Sequence, residues 1–373
     1  ISTNIIEDLD LQFQQITENK PNFFAVSLAA LPPSLTNVFS TLDPYHQLSN
    51  IERKKNRMKD SIYNYCKPGT VFFKSFPECE PGTNFQEIIR RAEQIAQDTF
   101  FEVVEVGTIK DVLYRTRVSK IFEYADMEVV YATQPLFFSH SGHTNDTRYS
   151  LCSTNPELRK AAIAVFEKCM REAHDLHATA MRMTSGYMPD DPNDKEEAKK
   201  LLCDSIAQIM EKAEKYDIPL ITMKIFDYDF DACQLIGKCE DALDIARQIC
   251  PTYPKFGLLT DLSHFPLLHE DPRETLTALK DYVKAFHLGN TINTGDPLNP
   301  IYGDWQPRFG VPNGAHTNDD IVNYFRILND LELIGPDKRP VVTAEVRPLV
   351  DSETPELILA NTKRNVQRAW ARA

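Results

Sequence analysis

The chain has 373 residues, of which 42% are hydrophobic and 25% are charged, so it can bury a sizeable core. Its formal net charge of −13 disfavours nucleic acid and anionic membranes as partners, because an acidic surface repels both. Anionic small molecules stay open as substrates, since a local basic pocket can outweigh the overall field.

The cysteines and the beginning of the sequence predict a reducing compartment. Eight cysteines are scattered along the chain without a CxxC pair, a pattern typical of free thiols and not of a disulfide framework. The apolar runs fall short of the ~20 residues that span a bilayer. The opening ISTNIIEDLDLQ lacks the basic and apolar regions of a signal peptide. These features together predict a cytoplasmic protein.

Residues 1–68 are predicted to form an extension with helical patterning. This patterning occurs in IEDLDLQFQQI and in LSNIERKKNRMKDSIYNYC, which the Pro-containing stretch ALPPSL separates. After Pro68-Gly69 the chain changes character. Residues 69–373 are therefore predicted to form one domain.

Short β-rich runs alternate with amphipathic helical patterns in this domain. The strand candidates are Thr70–Phe76, Phe100–Val106, Glu128–Ala132, Ala178–Met183, Leu220–Phe226, Gly257–Asp261, Ala285–Leu288 and Val341–Val346. Near-continuous apolar strands covered by helices indicate a parallel sheet buried on both faces, and eight such units close into a (β/α)₈ TIM barrel, an α/β fold. An open doubly wound sheet usually carries a GxGxxG turn, which this sequence lacks.

Polar residues stand at the predicted carboxyl ends of the strands, where barrels of this kind place their active sites. These residues are Lys224 on strand five, Asp261 and His264 on and after strand six, His287 and Asn290 around the end of strand seven, and Glu345 and Arg347 on strand eight. Two carboxylates and an imidazole at one mouth favour Mn²⁺ or Mg²⁺, with Zn²⁺ as a further candidate.

Two loops add candidates for catalysis and substrate binding. His140 and His143 follow strand three in FFSHSGHTN, where either can belong to the site or simply be solvated. The long loop after strand seven carries Trp305 and Gln306, which are candidates to cover or bind a sugar.

Four segments together resemble one known superfamily. GLLTDLSHFPLLHE, FHLGN, GDWQPRFGVPNGAHTNDDIVNYFRIL and RPVVTAEVRP resemble the xylose isomerase-like barrels, also called sugar phosphate isomerases/epimerases, over roughly residues 69–373. The strand-seven loop and FDYDFDACQLIG look most like the catalytic α-subunits of C-glycoside deglycosidases. Those enzymes cleave the sugar–aglycone C–C bond of 3-oxo-glycosides and work with a small partner subunit.

The resemblance implies roles for individual residues. Asp261, His287 and Glu345 would be metal ligands, and His264 and Arg347 would contact sugar oxygens. His140 or His143 would move a proton. The chain departs from the family pattern at two positions, since Lys224 stands where the family has a fourth ligand, a glutamate, and Gln306 stands where it has a histidine.

The lysine has a large electrostatic consequence. An ammonium ~4 Å from a dication is repelled by ~8 kcal/mol at an effective dielectric constant near 20. Lys224 can swing away from a weak three-ligand site, lose its proton through desolvation, or replace the metal by pairing with Asp261 and Glu345.

The leading hypothesis is an enzyme that moves a proton next to the carbonyl of a sugar or keto-sugar. The outcome would be isomerisation, epimerisation or, as in the C-glycoside enzymes, β-elimination. The main alternative is a degenerate, non-catalytic barrel that binds a sugar or acts as a scaffold. A homo-oligomer or a small partner subunit fits either hypothesis. A DNA-repair endonuclease of the same fold is disfavoured by the charge and by too few strand-end histidines.

Overall fold

The computed structural model describes residues 60–138 and 149–373. Within them, eight parallel strands form a closed barrel in chain order, with β8 paired back onto β1. The strands are β1 (Lys67–Val71), β2 (Val103–Val106), β3 (Glu128–Ala132), β4 (Ala180–Met183), β5 (Ile221–Lys224), β6 (Phe256–Asp261), β7 (Val283–Gly289) and β8 (Val341–Glu345). The predicted barrel is confirmed.

Helices cover the outside of this barrel. The main ones are α1 (Phe85–Ala96), α2 (Val112–Tyr124), α3 (Pro156–Asp175), α4 (Lys195–Lys215), α5 (Cys239–Ile249), α6 (Pro272–Leu279), α7 (Asn318–Asp330) and α8 (Pro355–Trp370). Their apolar faces and the outward-facing residues of the strands form the main hydrophobic core. Several helices begin at a capping side chain, such as Asn155 before α3, whose amide oxygen accepts hydrogen bonds from two backbone N–H groups.

The first strand was predicted at the wrong position. It runs from Lys67 to Val71, and Phe72–Ser75 form a single helical turn instead of continuing the strand. Pro68-Gly69 usually interrupts regular structure, but here both residues lie within β1 and are buried. The barrel therefore begins before residue 69, and residues 1–59 of the predicted extension lie outside the described residues.

The cysteines and the helices agree with two expectations from the sequence. All eight cysteines are free thiols, as predicted. Across residues 60–138 and 149–373, the helices are all too short or too polar to span a bilayer.

The start of α7 offers a simple test of local stability. Thr317 and Asp320 form a capping box, in which the Thr317 N–H donates to Asp320 Oδ2 at 2.7 Å. A Thr317→Ala variant is expected to lose about 1 kcal/mol of unfolding free energy in urea titrations. Thr277→Ala on the exposed face of α6 is the control and should change it by less than about 0.5 kcal/mol. Equal effects in the two variants would contradict the importance of this cap.

Candidate active site

Strand alternation explains why charged side chains fill the upper part of the barrel. Val103, Val130 and Ala180 form an apolar cluster separate from the main core. Because side chains two residues apart share a face of a strand, Glu105 and Arg182 project into the same interior one layer closer to the carboxyl ends. We call this end of the barrel the mouth.

Lys224 lies between two carboxylates at this mouth. Its Nζ is 2.5 Å from Glu345 Oε2, to which it donates a hydrogen bond, and 2.7 Å from Asp261 Oδ2. The three side chains are almost completely buried, with exposed fractions of 3% or less. The structure therefore brings three predicted site residues from β5, β6 and β8 into direct contact.

His287 connects this trio to the opposite side of the barrel. Its Nδ1 is 2.7 Å from Glu345 Oε2, and its Nε2 is 3.1 Å from Glu105 Oε2. Arg182 donates to Glu105 Oε2 at 3.3 Å and to Thr222 Oγ1 at 2.8 Å. We call the six ionisable residues the ion cluster: Glu105, Arg182, Lys224, Asp261, His287 and Glu345.

The mutual attraction of these groups keeps them charged. Burial opposes ionisation of Asp261 and Glu345, but Lys224 and the neighbouring histidines together outweigh it, so the pKa of Asp261 falls below its ordinary value and that of Glu345 falls well below. Burial also disfavours the charged forms of Lys224 and His287. Neighbouring carboxylates reverse this effect and raise the pKa of both groups. Lys224, Asp261 and Glu345 are thus paired charges at neutral pH.

A second group of polar residues lies next to Lys224. His264 follows β6, and its Nε2 is 3.5 Å from Asp304 Oδ2 and its Nδ1 3.8 Å from Asp227 Oδ1. Burial raises the pKa of Asp304 to about 6, even though His264 and Lys224 act to lower it. The Gln306 amide donates to Asp304 Oδ1 at 2.6 Å. Sequence reasoning placed His264 and Gln306 near a substrate, but it missed Asp304.

Several buried polar atoms in this second group have no hydrogen-bond partner among the described residues. They are both ring nitrogens of His264, Asp227 Oδ1, Gln306 Oε1 and Arg347 Nε. Buried polar atoms are usually satisfied, and leaving one unpaired costs about 1–3 kcal/mol. Such a concentration at the mouth of a barrel is the arrangement expected where a polar ligand binds.

Gly289 at the end of β7 allows these groups to approach one another. A Cβ at this position would lie 2.1 Å from Gln306 Oε1 and 2.7 Å from Asp261 Oδ1. The backbone N–H of Gly289 donates to Asp261 Oδ1 at 3.1 Å, which holds the carboxylate that contacts Lys224. The glycine is needed because a side chain would fill the space that Gln306 occupies.

The remaining predicted residues lie in different surroundings. The guanidinium of Arg347 lies over the Trp305 ring, 5.7 Å from its centroid. Asn290 is fully buried and binds backbone, since its Nδ2 donates to the Arg308 carbonyl and its Oδ1 accepts from the His316 N–H. Its side chain holds the loop after β7 in place, and its role in substrate binding stays a prediction. His140 and His143 lie outside the described residues.

Sequence reasoning also missed three charged residues inside the barrel, which are Glu105, Arg182 and Lys74. Lys74 follows β1, and its Nζ is 3.8 Å from Glu345 Oε1. A charged residue within an apolar strand, Glu105 in FFEVVEV and Arg182 in ATAMRM, was the available signal for the first two. Lys74 was missed because it lies within the predicted strand Thr70–Phe76, whereas the observed strand ends at Val71.

The three predicted metal ligands meet the positional requirement for a metal site. Ligand atoms of Asp261, His287 and Glu345 all lie within 4.8 Å of one another. However, the Lys224 ammonium contacts the carboxylate oxygens that would coordinate an ion. Both ring nitrogens of His287 contact carboxylate oxygens, so neither is free to coordinate an ion. In this arrangement the residues do not fit a divalent metal ion.

A closed ring of eight parallel strands with its charged groups at the carboxyl ends defines a (β/α)₈ barrel with a polar centre at its mouth. The chain belongs to the xylose isomerase-like TIM barrel family, whose model matches residues 82–347. This match confirms the superfamily resemblance in the sequence. The narrower likeness to C-glycoside deglycosidases is not part of it. The chain matches none of the curated proteins.

Solved structures with a similar fold include several sugar epimerases. D-psicose 3-epimerase from Clostridium cellulolyticum H10, solved with D-tagatose, is 13% identical with a TM-score of 0.55, and the match covers 81% of this chain and 96% of that chain. The 3-keto-D-glucoside 4-epimerase of E. coli is 13% identical with a TM-score of 0.57, covering 81% and 99%. An L-ribulose 3-epimerase is 12% identical with a TM-score of 0.58, covering 82% and 95%. At these identities the likeness shows the shared fold.

Proposed function

We propose that this protein is a sugar isomerase or epimerase that moves a proton next to the carbonyl group of a sugar or keto-sugar. The observation that carries this proposal is the set of unpaired buried polar atoms on His264, Gln306 and Arg347, which lie at the same end of the barrel as the Lys224 ammonium. The sugar epimerases among the similar structures support the same substrate class.

Lys224 is suited to stabilise an oxyanion. An ammonium group has three N–H donors, and the contacts with Asp261 and Glu345 use two of them. The third is available to the carbonyl oxygen of a substrate, which becomes negatively charged when the neighbouring carbon loses its proton. A buried positive charge at that oxygen lowers the barrier to proton removal.

Asp304 is better suited than Glu345 to accept this proton. An efficient general base has a pKa near the working pH, and burial brings that of Asp304 to about 6. Glu345 is held by Lys224 and His287 with a pKa well below its ordinary value, so it is a weak base. Glu345 then positions Lys224, and His264 next to Asp304 binds sugar hydroxyl groups.

The second candidate is a non-catalytic barrel that binds a sugar or serves as a scaffold. One observation favours it, namely that the ion cluster is a continuous chain of contacts from Arg182 through Glu105, His287 and Glu345 to Lys224. Charges that are buried usually need such partners in any case. The unpaired atoms beside the cluster favour the enzyme over this alternative.

Hydrogen exchange at carbon tests the proposal directly. The purified protein is incubated in D₂O with ketohexoses, aldoses, 3-keto-glycosides and a 3-oxo C-glycoside, with Mn²⁺ or with a chelator, and followed by NMR. Deuterium incorporation or epimerisation next to a carbonyl is expected for at least one sugar. Release of an aglycone from the C-glycoside would establish the narrower deglycosidase activity with C–C cleavage. If no sugar shows exchange or turnover under either condition, the proposed enzymatic function is wrong and the non-catalytic barrel is favoured.

A His264→Ala variant is expected to lower kcat/KM by about 10- to 100-fold with the sugar that is turned over. The reason is that it removes two buried hydrogen-bonding nitrogens worth about 1–3 kcal/mol. His174→Ala on the exposed face of α3 is the matched control and should leave kcat/KM unchanged. Equal rates for wild type and His264→Ala would remove His264 from the substrate site.

A further inference from the structure

We propose that the Lys224 side chain is the resident cation of this barrel and that the chain binds no divalent metal ion at Asp261, His287 and Glu345. This inference does not depend on the proposed sugar chemistry, because it concerns which cation fills the site. It assigns Lys224 the electrostatic role that a metal ion would otherwise supply.

The Lys224 ammonium already occupies the position of a metal ion. Lys224 Nζ is 2.7 Å from Asp261 Oδ2 and 2.5 Å from Glu345 Oε2, and these residues provide two of the three candidate ligands. Lys224 also packs against Phe226, with Nζ 4.8 Å from the ring centroid. A metal ion could bind the two carboxylates only if the buried lysine left them.

Both ring nitrogens of His287 already contact carboxylates. A metal-binding imidazole uses one nitrogen as a ligand and donates with the other. His287 instead lies with Nδ1 2.7 Å from Glu345 Oε2 and Nε2 3.1 Å from Glu105 Oε2. A metal ion could bind His287 only by displacing one of these contacts.

The local charge also disfavours a dication. The carboxylates of the ion cluster are Glu105, Asp261 and Glu345, and Arg182 and Lys224 place two positive charges in contact with them. Lys74 adds a further positive charge 3.8 Å from Glu345. The site therefore lacks the excess negative charge that attracts a dication.

Metal binding by wild type and by a Lys224→Glu variant tests this inference. Each protein is treated with chelator, dialysed against Mn²⁺ and examined by elemental analysis and Mn²⁺ EPR. Wild type should hold less than about 0.1 Mn²⁺ per chain, whereas Lys224→Glu should bind at least about 100-fold more tightly, approaching one per chain. The matched control is Lys74→Met, which removes a nearby buried cation but leaves Lys224 in place and should hold far less Mn²⁺ than Lys224→Glu.

Thermal unfolding gives a second readout that does not require activity. Mn²⁺ should raise the Tm of Lys224→Glu and leave that of wild type unchanged, because a ligand stabilises only the state that binds it. If the glutamate variant does not fold, Lys224→Met is measured in the same way with the same expectation.

Two results would overturn the inference. One is stoichiometric Mn²⁺ in wild type that Asp261→Asn abolishes. The other is equal Mn²⁺ binding by wild type and a folded Lys224 variant. Neither metal measurement requires enzymatic activity. A negative result in the sugar assay would therefore contradict the proposed function without affecting the inference about Lys224.

Discussion

A Lys224→Met variant is expected to lose about 3–5 kcal/mol of unfolding free energy. Methionine fills a similar volume but leaves Asp261 and Glu345 buried without the cation that contacts both of them. Removing one partner of a buried ion pair costs this much because the remaining charge is neither solvated nor compensated. Urea denaturation followed by circular dichroism measures the change.

The control for this prediction is Lys212→Met on α4. Lys212 pairs with Glu167 at 2.8 Å, but its side chain is 38% exposed. Surface ion pairs contribute less than about 1 kcal/mol, so this variant should remain close to wild type. If both lysine variants lose the same small amount, the buried trio is not the stabilising element described above.

An Asp304→Asn variant is expected to lower kcat/KM by about 10²- to 10⁴-fold, the usual contribution of a general base. Asparagine keeps the size of the side chain and can still accept the hydrogen bond from Gln306, so the loss reports proton transfer and not packing. Asp296→Asn lies in the same loop, is exposed, and should keep full activity.

The pH profile adds a signature that a structural role would not produce. Asp304 must be ionised to accept a proton, and burial raises its pKa to about 6. The wild-type kcat/KM should therefore be constant above that pH and fall with decreasing pH below it. In Asp304→Asn this acidic limb should disappear. A variant that keeps both the rate and the limb would show that another group is the base.

The barrel could be predicted because its physical pattern is local. Apolar runs such as Glu128–Ala132 alternate with amphipathic helices, and parallel strands buried on both faces have few ways to pack. The same logic placed Lys224, Asp261, His287 and Glu345 at the carboxyl ends of their strands. The resemblance to the xylose isomerase-like barrels then identified Lys224 as the neighbour of the other three, because it stands where the family has a fourth ligand.

Other parts of the site depend on contacts that no local pattern contains. Glu105 on β2 contacts His287 on β7 only because the ring closes and brings distant strands face to face across the interior. Asp304 lies in a long loop without periodicity, and its burial depends on how that loop folds over β6 and β7. Pro and Gly usually interrupt strands, so the first strand was predicted to begin after Pro68-Gly69. Lys74 was therefore assigned to a strand that in fact ends at Val71.

An anomalous diffraction map from a crystal of the wild-type protein soaked in Mn²⁺ would test the account most directly. The expected result is no manganese peak among Asp261, His287 and Glu345, with the Lys224 ammonium in contact with both carboxylates. A manganese peak bound by those three side chains, with Lys224 turned away, would contradict it.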